Sequence, residues 1–400
     1  MKISIFTPTH KTDYLKELYV SICQNKYSNR ERIILCNNGA KIPARVRADD
    51  RIRAFEFTEE MKNIGYRKNK ACSLALWDIL LEADHDDLLT PDCIEEVANA
   101  FTENPNVGFV YSDNAKLWPF TPYNPIYWRE SYNYEREWQQ LPAMKSLPEI
   151  PNNLSYIRFQ PDHVRAWRRS VYDAIGWHNK DLEVCDDQEL MIRTYLATDF
   201  LHIPKVLYIY RITGENTSLN SKNQLVQQKT VEIYDKYIYK IAEKRAEKNN
   251  LLKIDLCWGI DPAPWYKSID IANWDITADL EKRRPLWDNT VWVIRAHDAI
   301  EHLRDKEHTM KEIYRVLAPG GILLSSTPST DGRWAFQDPT HVAFWNENSF
   351  RYRIKWRVQP KYIYNTEHLF MESRLYTRFP SEWHRQHNIS YVQANLFKPQ

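Results

Sequence analysis

The sequence predicts an α/β protein built from two successive doubly wound domains. Short apolar runs alternate with amphipathic stretches over residues 1–117 and again over residues 251–325. Strands that alternate with helices in this way are typical of parallel sheets. Polar residues follow three apolar runs of the first stretch, and ligands bind beyond the carboxyl ends of the strands in such sheets. A long helical pattern over residues 221–250 separates the two stretches.

The composition excludes several classes of protein. The 400 residues are 43% hydrophobic and 27% charged, as in a globular chain, and the net charge of +1 offers no field to attract nucleic acid or anionic lipid. Six scattered cysteines without a Cys-x-x-Cys pair argue against a disulfide framework or a zinc site and fit a reducing compartment. With no signal peptide and no apolar run of 18 residues, we expect a cytoplasmic protein without a transmembrane segment.

The elements of the first stretch follow from the spacing of its apolar residues. Two helices are expected at residues 14–22 and 65–76, and Thr90 followed by Pro91 predicts the start of a third. We expect the first strand to break at Pro8. The predicted strands are at residues 3–6, 33–36, 52–57, 79–84 and 108–114.

Three polar strand ends are expected to converge on one edge of this sheet. They are Thr7-Pro8-Thr9, Asn37-Asn38-Gly39 and Asp84-His85-Asp86-Asp87. Carboxylates crowded at a strand end repel each other unless a cation joins them, and Mg²⁺ or Mn²⁺ prefers such oxygen ligands. The alternative interpretation of the acidic cluster is a solvated turn. The convergence of three polar ends favours the metal site.

The same stretches carry a resemblance to a known family. Phe6-Thr7-Pro8-Thr9, Asn63-Ile64-Gly65-Tyr66-Arg67-Lys68-Asn69 and the acidic cluster resemble the motifs of family 2 glycosyltransferases of the GT-A fold. The resemblance implies a nucleotide-sugar-binding domain over residues 1–220. Asn37-Asn38-Gly39-Ala40 stands where the family usually has Asp-Asp-Gly-Ser, so the nucleotide base is not identified.

The resemblance also implies roles for individual residues. Asp84 is expected on the ribose side of the donor, and Asp86, with Asp84, is expected to hold Mn²⁺ or Mg²⁺ on the diphosphate. Lys68 is expected near the donor and Arg211 near the diphosphate. The other residues expected to contact the donor lie at the first two strand ends: Thr7, Pro8, Thr9, Asn37 and Asn38.

An acidic pair, Asp186-Asp187, provides the candidate catalytic base. In the family the second acid of a pair at the head of a helix is the base, which maps onto Asp187. A carboxylate with a pKa of about 4 is ionised at neutral pH and can accept the proton of an acceptor hydroxyl. Asp186 is the alternative, because either member of the pair can instead cap the helix.

Residues 118–150 are rich in aromatic side chains and contain five prolines, and no single period fits them. One interpretation is a loop packed down by its own rings. The other is a lid over an acceptor sugar, because long irregular insertions in compact domains are often lids.

The second stretch repeats the alternation of strands and helices. Strands are expected at residues 254–259, 268–270, 292–294 and 322–325, and helices at 297–303 and 310–316, with a turn at Pro319-Gly320-Gly321. Asp270 ends the second of these strands. Residues 355–400 are expected to complete the sheet.

Four motifs of this region resemble the class I S-adenosylmethionine-dependent methyltransferases: Glu301-His302-Leu303, residues 312–321, Thr327-Pro328-Ser329, and Asp338-Pro339-Thr340-His341-Val342. The resemblance implies a smaller Rossmann-like domain over residues 251–400. Its base for methyl transfer is expected to be His297 or His341, and His302 is expected to be structural. The residues expected to bind S-adenosylmethionine are Asp255, Gly259, Asp270 and Asp279.

Together these features predict an enzyme that transfers a sugar from a nucleotide-sugar donor to a glycan or glycolipid hydroxyl, with inversion, and then methylates a sugar hydroxyl. The arrangement is similar to virus-encoded multidomain glycan enzymes, a fold-level analogy. One alternative keeps the glycosyltransferase and makes the second domain a non-catalytic scaffold, because Cys257-Trp258 replaces a glycine of the family's cofactor loop. The other alternative is a glycan-binding protein without catalysis.

Overall fold

The chain forms two compact units, Met1–Ile238 and Tyr239–Gln400, in a computed structural model. The boundary falls inside the long helix Asn223–Lys248, which lies within the segment expected to connect the domains. The structure describes residues 1–36, 39–58, 63–117, 131–136, 139–149, 153–154, 161–213, 222–256, 263–271, 275–283, 285–355 and 368–399. None of the helices in these ranges is long and apolar enough to span a bilayer.

The first unit contains a ten-stranded mixed sheet with the strand order β3-β2-β1-β4-β9-β6-β10-β5, to which the hairpin β7–β8 is attached through β6. Strands β1 to β4 are parallel, and β9 runs antiparallel between β4 and β6. The strands are β1 Ile3–Thr9, β2 Arg30–Cys36, β3 Ile52–Glu56, β4 Ile79–Glu82, β5 Leu88–Leu89, β6 Val107–Leu117, β7 Ser131–Arg136, β8 Gln139–Met144, β9 Arg165–Arg168 and β10 Asp199–Arg211.

The reversed direction of β9 matters for the site. Arg165, its first residue, pairs with Glu82, the last residue of β4. The amino end of β9 therefore lies at the same sheet edge as the carboxyl ends of the parallel strands. Side chains that precede or begin β9 join the strand-end residues that the sequence places at this edge.

Helices flank the sheet because their apolar residues recur on one face. Leu15, Leu18 and Ile22 are buried on the first helix, which confirms the helix expected at residues 14–22. The helices of this unit are α1 Leu15–Gln24, α2 Ala44–Arg47, α3 Ile64–Ser73, α4 Cys93–Glu103, α5 Arg169–Ala174 and α6 Asp186–Ala197. The long helix α7 Asn223–Lys248 belongs to this unit up to Ile238 and to the second unit from Tyr239.

Two predictions for this unit were wrong. Strand β1 does not break at Pro8 but continues to Thr9, with Pro8 paired to Leu35 of β2. Its other neighbour, β4, pairs only as far as Phe6, so the missing N–H of Pro8 interrupts no ladder on that side. The region expected to be irregular contains the hairpin β7–β8, while residues 118–130, which hold many of its rings, lie outside the described residues.

The second unit is a seven-stranded sheet with the order β13-β12-β11-β14-β15-β17-β16, in which only β17 is antiparallel to its neighbours. The strand order reverses between β11 and β14, and ligands bind at such a switch point. The strands are β11 Leu252–Leu256, β12 Lys267–Asp270, β13 Ile276–Thr277, β14 Val291–His297, β15 Leu317–Pro328, β16 Met371–Arg378 and β17 Tyr391–Phe397. Strands β16 and β17 confirm that residues after 355 complete the sheet.

Short helices cover this second sheet. They are α8 Lys306–Val316, α9 Glu347–Arg351 and α10 Glu382–Gln386, with 3₁₀ turns at Ile300–His302 and Arg333–Phe336. The helix expected at residues 297–303 was wrong, because the ladder with β15 extends β14 as far as His297 and leaves room only for the 3₁₀ turn. Pro319-Gly320-Gly321 lies inside β15, at an irregularity of its pairing with β14, and is not a separate turn.

Candidate functional site

A buried ammonium group connects the elements at the carboxyl edge of the first sheet. Lys68 of α3 forms an ion pair with Glu82 at the end of β4, and its Nζ lies 3.8 Å from Oδ2 of Asp186 at the start of α6. These side chains are 6%, 0% and 3% exposed, so water does little to screen the charges. Burial alone would lower the pKa of Lys68, but Glu82 and Asp186 raise it well above the ordinary value. Lys68 is therefore held charged between strand and helix.

Asp84 lies two residues beyond β4, and its side chain is more accessible than those of Glu82 and Asp186. Its amide donates a 3.0 Å hydrogen bond to the hydroxyl oxygen of Tyr208, which fixes the chain where it leaves the strand. His163 Nε2 lies 3.9 Å from a carboxylate oxygen of both Asp84 and Glu82. Burial raises the pKa of Asp84 to about 7, reinforced by Glu82 and Asp86 and opposed by Lys68.

Glu82, Asp84 and His163 offer ligand atoms within 4.8 Å of one another. Lys68 already neutralises Glu82, and burial holds the pKa of His163 well below its ordinary value, so that ring is neutral at physiological pH. An added cation would therefore act chiefly on Asp84 and its neighbour Asp86, whose charge helps to raise the pKa of Asp84. This is a carboxylate pair of the kind that hard divalent ions prefer.

Arg211, the last residue of β10, holds the acidic turn in place. Its amide donates a 2.7 Å hydrogen bond to Oδ1 of Asp87, and its Nε donates a 2.8 Å bond to the main-chain carbonyl of Asp86. Its guanidinium also pairs with Glu17 at 2.6 Å and lies over the ring of Tyr14. The structure thus places Arg211 as a support of the Asp86-Asp87 turn, and its expected contact with a diphosphate stays a prediction.

The two candidates for the base differ in accessibility. The Asp186 side chain is 3% exposed, and its Oδ2 lies 3.8 Å from both Lys68 Nζ and His178 Nε2. Burial raises the pKa of Asp186 to about 6, against the opposing charge of Lys68. The Asp187 side chain is 27% exposed and ion-paired with Arg165 at 3.1 Å. Asp187 is thus the more accessible of the two candidates.

The other predicted donor contacts are placed in part. Thr7 and Thr9 are buried at the end of β1, with Pro8 between them, and the Thr7 hydroxyl has no hydrogen-bond partner among the described residues. Thr9 Oγ1 accepts a 3.0 Å hydrogen bond from the Lys11 amide, which turns the chain away from the sheet. Asn37 and Asn38 lie outside the described residues.

The second unit brings its predicted acids to the corresponding edge of the other sheet. Asp255 of β11 is buried, and its Oδ2 accepts hydrogen bonds from the Ala263 amide at 2.9 Å and from Arg295 at 2.7 Å. Asp270 ends the neighbouring strand, where its Oδ1 accepts a 2.6 Å bond from the Ile271 amide. Asp279 lies in a turn after β13 and pairs with Lys282. Gly259 lies outside the described residues.

His297, the predicted base for methyl transfer, ends β14 and contacts the long helix α7. Its Nε2 is 2.6 Å from the hydroxyl oxygen of Tyr239. Burial, together with Arg295 and Arg378, lowers the pKa of His297 to about 3. The ring is therefore neutral at physiological pH and a weak proton acceptor, which makes it better suited to orienting a hydroxyl than to removing its proton.

Several residues of the first site have no role in the sequence analysis. Glu82 follows three apolar residues and is the last residue of a buried strand. A single acid with 0% exposure in such a strand indicates a buried ion pair. His163, Arg165 and His178 belong to no recognised motif. Strand β9 brings the first two to the site because it runs antiparallel, which the sequence alone did not indicate.

Comparison with known proteins identifies a family for each unit. Residues 4–176 match the family model "Glycosyl transferase family 2", and residues 214–325 match the model "Methyltransferase domain". An uncharacterized Sinorhizobium fredii protein, y4gI, is 22% identical over 231 residues, which cover 55% of this chain and 23% of that protein. Chondroitin synthase of Escherichia coli is 18% identical over 266 residues, or 64% of this chain and 35% of the synthase. The chain thus spans about a quarter to a third of these relatives.

Solved structures similar to the chain include two complexes with nucleotide sugars. Staphylococcus aureus TarS 1-349 in complex with UDP-GlcNAc is 15% identical with a TM-score of 0.46, over 62% of this chain and 72% of that chain. Mannosyltransferase PcManGT from Pyrobaculum calidifontis in complex with GDP-Man and Mn²⁺ is 15% identical with a TM-score of 0.38, over 54% and 58%. From the two family models, the chain contains a family 2 glycosyltransferase domain followed by a methyltransferase domain.

Proposed function

We propose that the first domain transfers a sugar from a nucleotide-sugar donor to an acceptor hydroxyl, in a single displacement with inversion. The observation that carries the proposal is the position of two accessible carboxylates, Asp84 and Asp187, around the buried charge of Lys68 at one sheet edge. One carboxylate can serve the donor and the other the acceptor. The similarity to chondroitin synthase supports a glycan as the acceptor.

A divalent ion fits the donor side of this site. Asp84 and Asp86 would hold Mn²⁺ or Mg²⁺, because burial raises the pKa of Asp84 and a bound cation would offset the repulsion between these acids. When bound, the ion supplies positive charge that balances the departing nucleoside diphosphate. Arg211 keeps the acidic turn in position through its bond to the Asp86 carbonyl.

The protein performs the proton transfer on the acceptor side. The acceptor oxygen attacks the anomeric carbon, the bond from that carbon to the diphosphate oxygen breaks, and the hydroxyl proton passes to Asp187. Arg165 fixes the orientation of the Asp187 carboxylate through a 3.1 Å hydrogen bond. Asp186 instead balances Lys68 beneath the site.

Release of nucleoside diphosphate from a panel of nucleotide sugars tests this function. We expect release in the presence of Mn²⁺ or Mg²⁺, none after chelation, and none in Asp86→Asn with either metal. The matched control is Asp78→Asn, an exposed acid at the opposite end of β4. Binding of a nucleotide sugar without any release, with every donor and a range of glycan acceptors, would instead support a glycan-binding protein.

For the second domain, we propose binding of S-adenosylmethionine and methylation of a sugar hydroxyl. Support comes from the methyltransferase family model and from Asp255 and Asp270, which lie near the carboxyl ends of neighbouring parallel strands beside the switch point of the sheet. Asp270 would bind the ribose hydroxyls, and Asp255 would support the adjoining loop through the Ala263 amide. The pair of Tyr239 and His297 would orient the acceptor at the end of β14.

Calorimetric titration of S-adenosylmethionine separates this proposal from a scaffold role. We expect micromolar binding that is lost in Asp270→Ala and kept in Glu372→Ala, an exposed acid of β16. No heat at millimolar ligand would indicate a structural domain without cofactor. The result does not depend on the activity of the first domain.

A further inference from the structure

We propose that the methyltransferase domain binds a divalent first-row transition-metal ion through Glu301, His302 and His341. A carboxylate oxygen of the glutamate and one ring nitrogen of each histidine lie within 4.8 Å of one another. This cluster is separate from the residues proposed to bind S-adenosylmethionine and from the acids of the first domain. The cysteine pattern, which argues against a cysteine-based zinc site, does not bear on a site made of histidine and glutamate.

The two imidazoles are oriented for metal binding. His302 Nδ1 lies 3.1 Å from the Thr340 carbonyl, and His341 Nδ1 lies 3.3 Å from the Ala335 carbonyl. A carbonyl only accepts hydrogen bonds, so these contacts place the proton on Nδ1 and leave a lone pair on Nε2. A hydrogen bond from the second ring nitrogen to a carbonyl is the usual support of a metal-binding histidine.

The carboxylate of Glu301 supplies the independent observation. The residue is 1% exposed, and its Oε2 accepts a 2.6 Å hydrogen bond from the Thr327 hydroxyl. Its Oε1 is buried and has no hydrogen-bond partner among the described residues. An unpaired buried carboxylate oxygen is costly, and a cation beside it would offset that cost.

The main chain holds the loop of His341 against the glutamate. The Glu301 carbonyl accepts hydrogen bonds of 2.9 Å from the amides of both Val342 and Ala343. The two histidine rings meet edge to face with their centroids 5.1 Å apart. Asp338 lies 3.9 Å from His341 Nε2, which is too long for a hydrogen bond, and adds negative charge beside the cluster.

The types of ligand atom and their spacing fit Zn²⁺ or a similar divalent transition-metal ion. Zinc lies about 2.0–2.2 Å from such ligands, which places neighbouring ligand atoms about 3.4 Å apart in a tetrahedral site. The three ligand atoms therefore need to move only by a short distance to close on an ion. Two imidazoles and one carboxylate suit Zn²⁺, Fe²⁺ or Co²⁺ better than Mg²⁺ or Ca²⁺, and three protein ligands leave a position open for a water or hydroxyl oxygen.

The position of the cluster at the ligand-binding edge of the sheet indicates a function for the open coordination site. Glu301 and His302 follow β14, and Thr327 is near the end of β15, so the cluster lies at the carboxyl edge of the second sheet. Ligands bind at this edge in doubly wound folds. An ion there would take an oxygen of the acceptor sugar as its next ligand.

Co²⁺ binding to the chelator-treated full chain tests the proposal, with the visible absorption of the ion as readout. We expect one equivalent of Co²⁺ with the absorption of nitrogen-coordinated cobalt, displaced by one equivalent of Zn²⁺. The band should be lost in His341→Gln and in Glu301→Gln. His302→Ala, at a half-buried position outside the core, should lose it while remaining folded by circular dichroism.

Two controls separate this site from others. His384→Gln removes a half-buried histidine of α10 and should leave the band unchanged. Asp86→Asn removes the proposed metal ligand of the first domain and should also leave it unchanged. A band that survives in His302→Ala, or that disappears in Asp86→Asn, overturns the proposal. The readout requires neither glycosyl transfer nor methyl transfer, so its failure is distinct from failure of the proposed function.

Discussion

Arg165 Nη1 lies 3.1 Å from Oδ2 of Asp187, and the arginine is buried while the aspartate is partly exposed. The pair joins the first residue of β9 to the first turn of α6. A buried guanidinium fixes the direction of the carboxylate, because its planar donors leave little freedom for the acceptor. The remaining Asp187 oxygen, Oδ1, accepts a 2.8 Å bond from the Gln188 amide, which further limits its rotation.

Replacement of Asp187 should remove the acceptor base. We expect Asp187→Asn to lower kcat for sugar transfer by about 10²–10⁴, with little change in the KM for the donor, because general base catalysis contributes about that much. Steady-state kinetics with the nucleotide sugar identified by the release assay measures both constants.

The neighbouring acid and an exposed acid serve as comparisons. Asp181→Asn changes an exposed loop residue close in sequence and should leave kcat unchanged. Asp186→Asn alters the buried network. It should lower the midpoint of thermal unfolding and leave the KM for the donor little changed. If kcat survives in Asp187→Asn and collapses in a folded Asp186→Asn, the assignment of the base is wrong.

Removal of the buried ammonium should destabilise the first domain strongly. Lys68→Met leaves Glu82 and Asp186 without their counter-charge in a site that water does not reach. Loss of one partner of a buried ion pair costs about 3–5 kcal/mol in the free energy of unfolding. Urea denaturation followed by far-UV circular dichroism measures the loss.

A double mutant and an exposed ion pair test the cause. Lys68→Met/Glu82→Gln should be less destabilised than the sum of the single variants, because the second change removes the unpaired charge. Lys41→Met, which breaks the exposed pair with Glu56, should cost less than about 1 kcal/mol. Strict additivity of the Lys68 and Glu82 variants would contradict the coupling.

The sequence predicted the frame of both domains better than the interior of the sites. Alternation of apolar runs placed most strands to within a few residues, and the polar strand ends located the sheet edge that carries Asp84. The prediction at Pro8 failed because it treated proline as a strand breaker without knowing that β4 pairs only as far as Phe6. The span of a neighbouring strand is a tertiary property that local pattern does not contain.

Residues that act through long-range contacts were not predictable from the sequence. Lys68, Glu82 and Asp186 are separated by many residues, and only the tertiary packing, with α3 against β1 and α6, makes them one network. His341 was considered as a base and His302 as structural, whereas the fold brings both to Glu301. Spacing along the chain carries no information about such a meeting.

The buried imidazole of His178 should make stability depend on pH. Burial lowers the pKa of His178 to about 3, from an ordinary value of about 6.5 in the unfolded chain. The unfolded state therefore binds the extra proton as pH falls below 6.5, and the stabilisation present above that pH is lost progressively toward pH 3. The loss is about 1.4 kcal/mol for each pH unit in this window.

Comparison of the wild type with His178→Gln isolates this proton. From pH 7.5 to pH 5.5, the free energy of unfolding should fall by about 1.4 kcal/mol more in the wild type than in the variant. This is less than the full slope over two pH units, because the imidazole of the unfolded chain is only partly protonated near its pKa. His384→Gln, which changes a half-buried histidine of the second unit, should retain the wild-type slope. Equal slopes in the wild type and in His178→Gln would show that another group takes up the proton.

Gly65 should resist even the smallest side chain. A Cβ at this position would lie 2.0 Å from the Asn179 carbonyl oxygen, because the first turn of α3 packs directly on the segment that leads to α6. Alanine normally stabilises a helix relative to glycine by about 0.5–1 kcal/mol. Here we expect Gly65→Ala to destabilise by about 1–3 kcal/mol, since the two backbones must separate. Separation would also displace Lys68 from Asp186, so kcat should fall together with the midpoint of thermal unfolding.

Ser73→Ala, at the exposed end of the same helix, should change stability by less than about 0.5 kcal/mol. A Gly65→Ala variant as stable as the wild type would contradict the close approach of α3 to the Asn179 carbonyl.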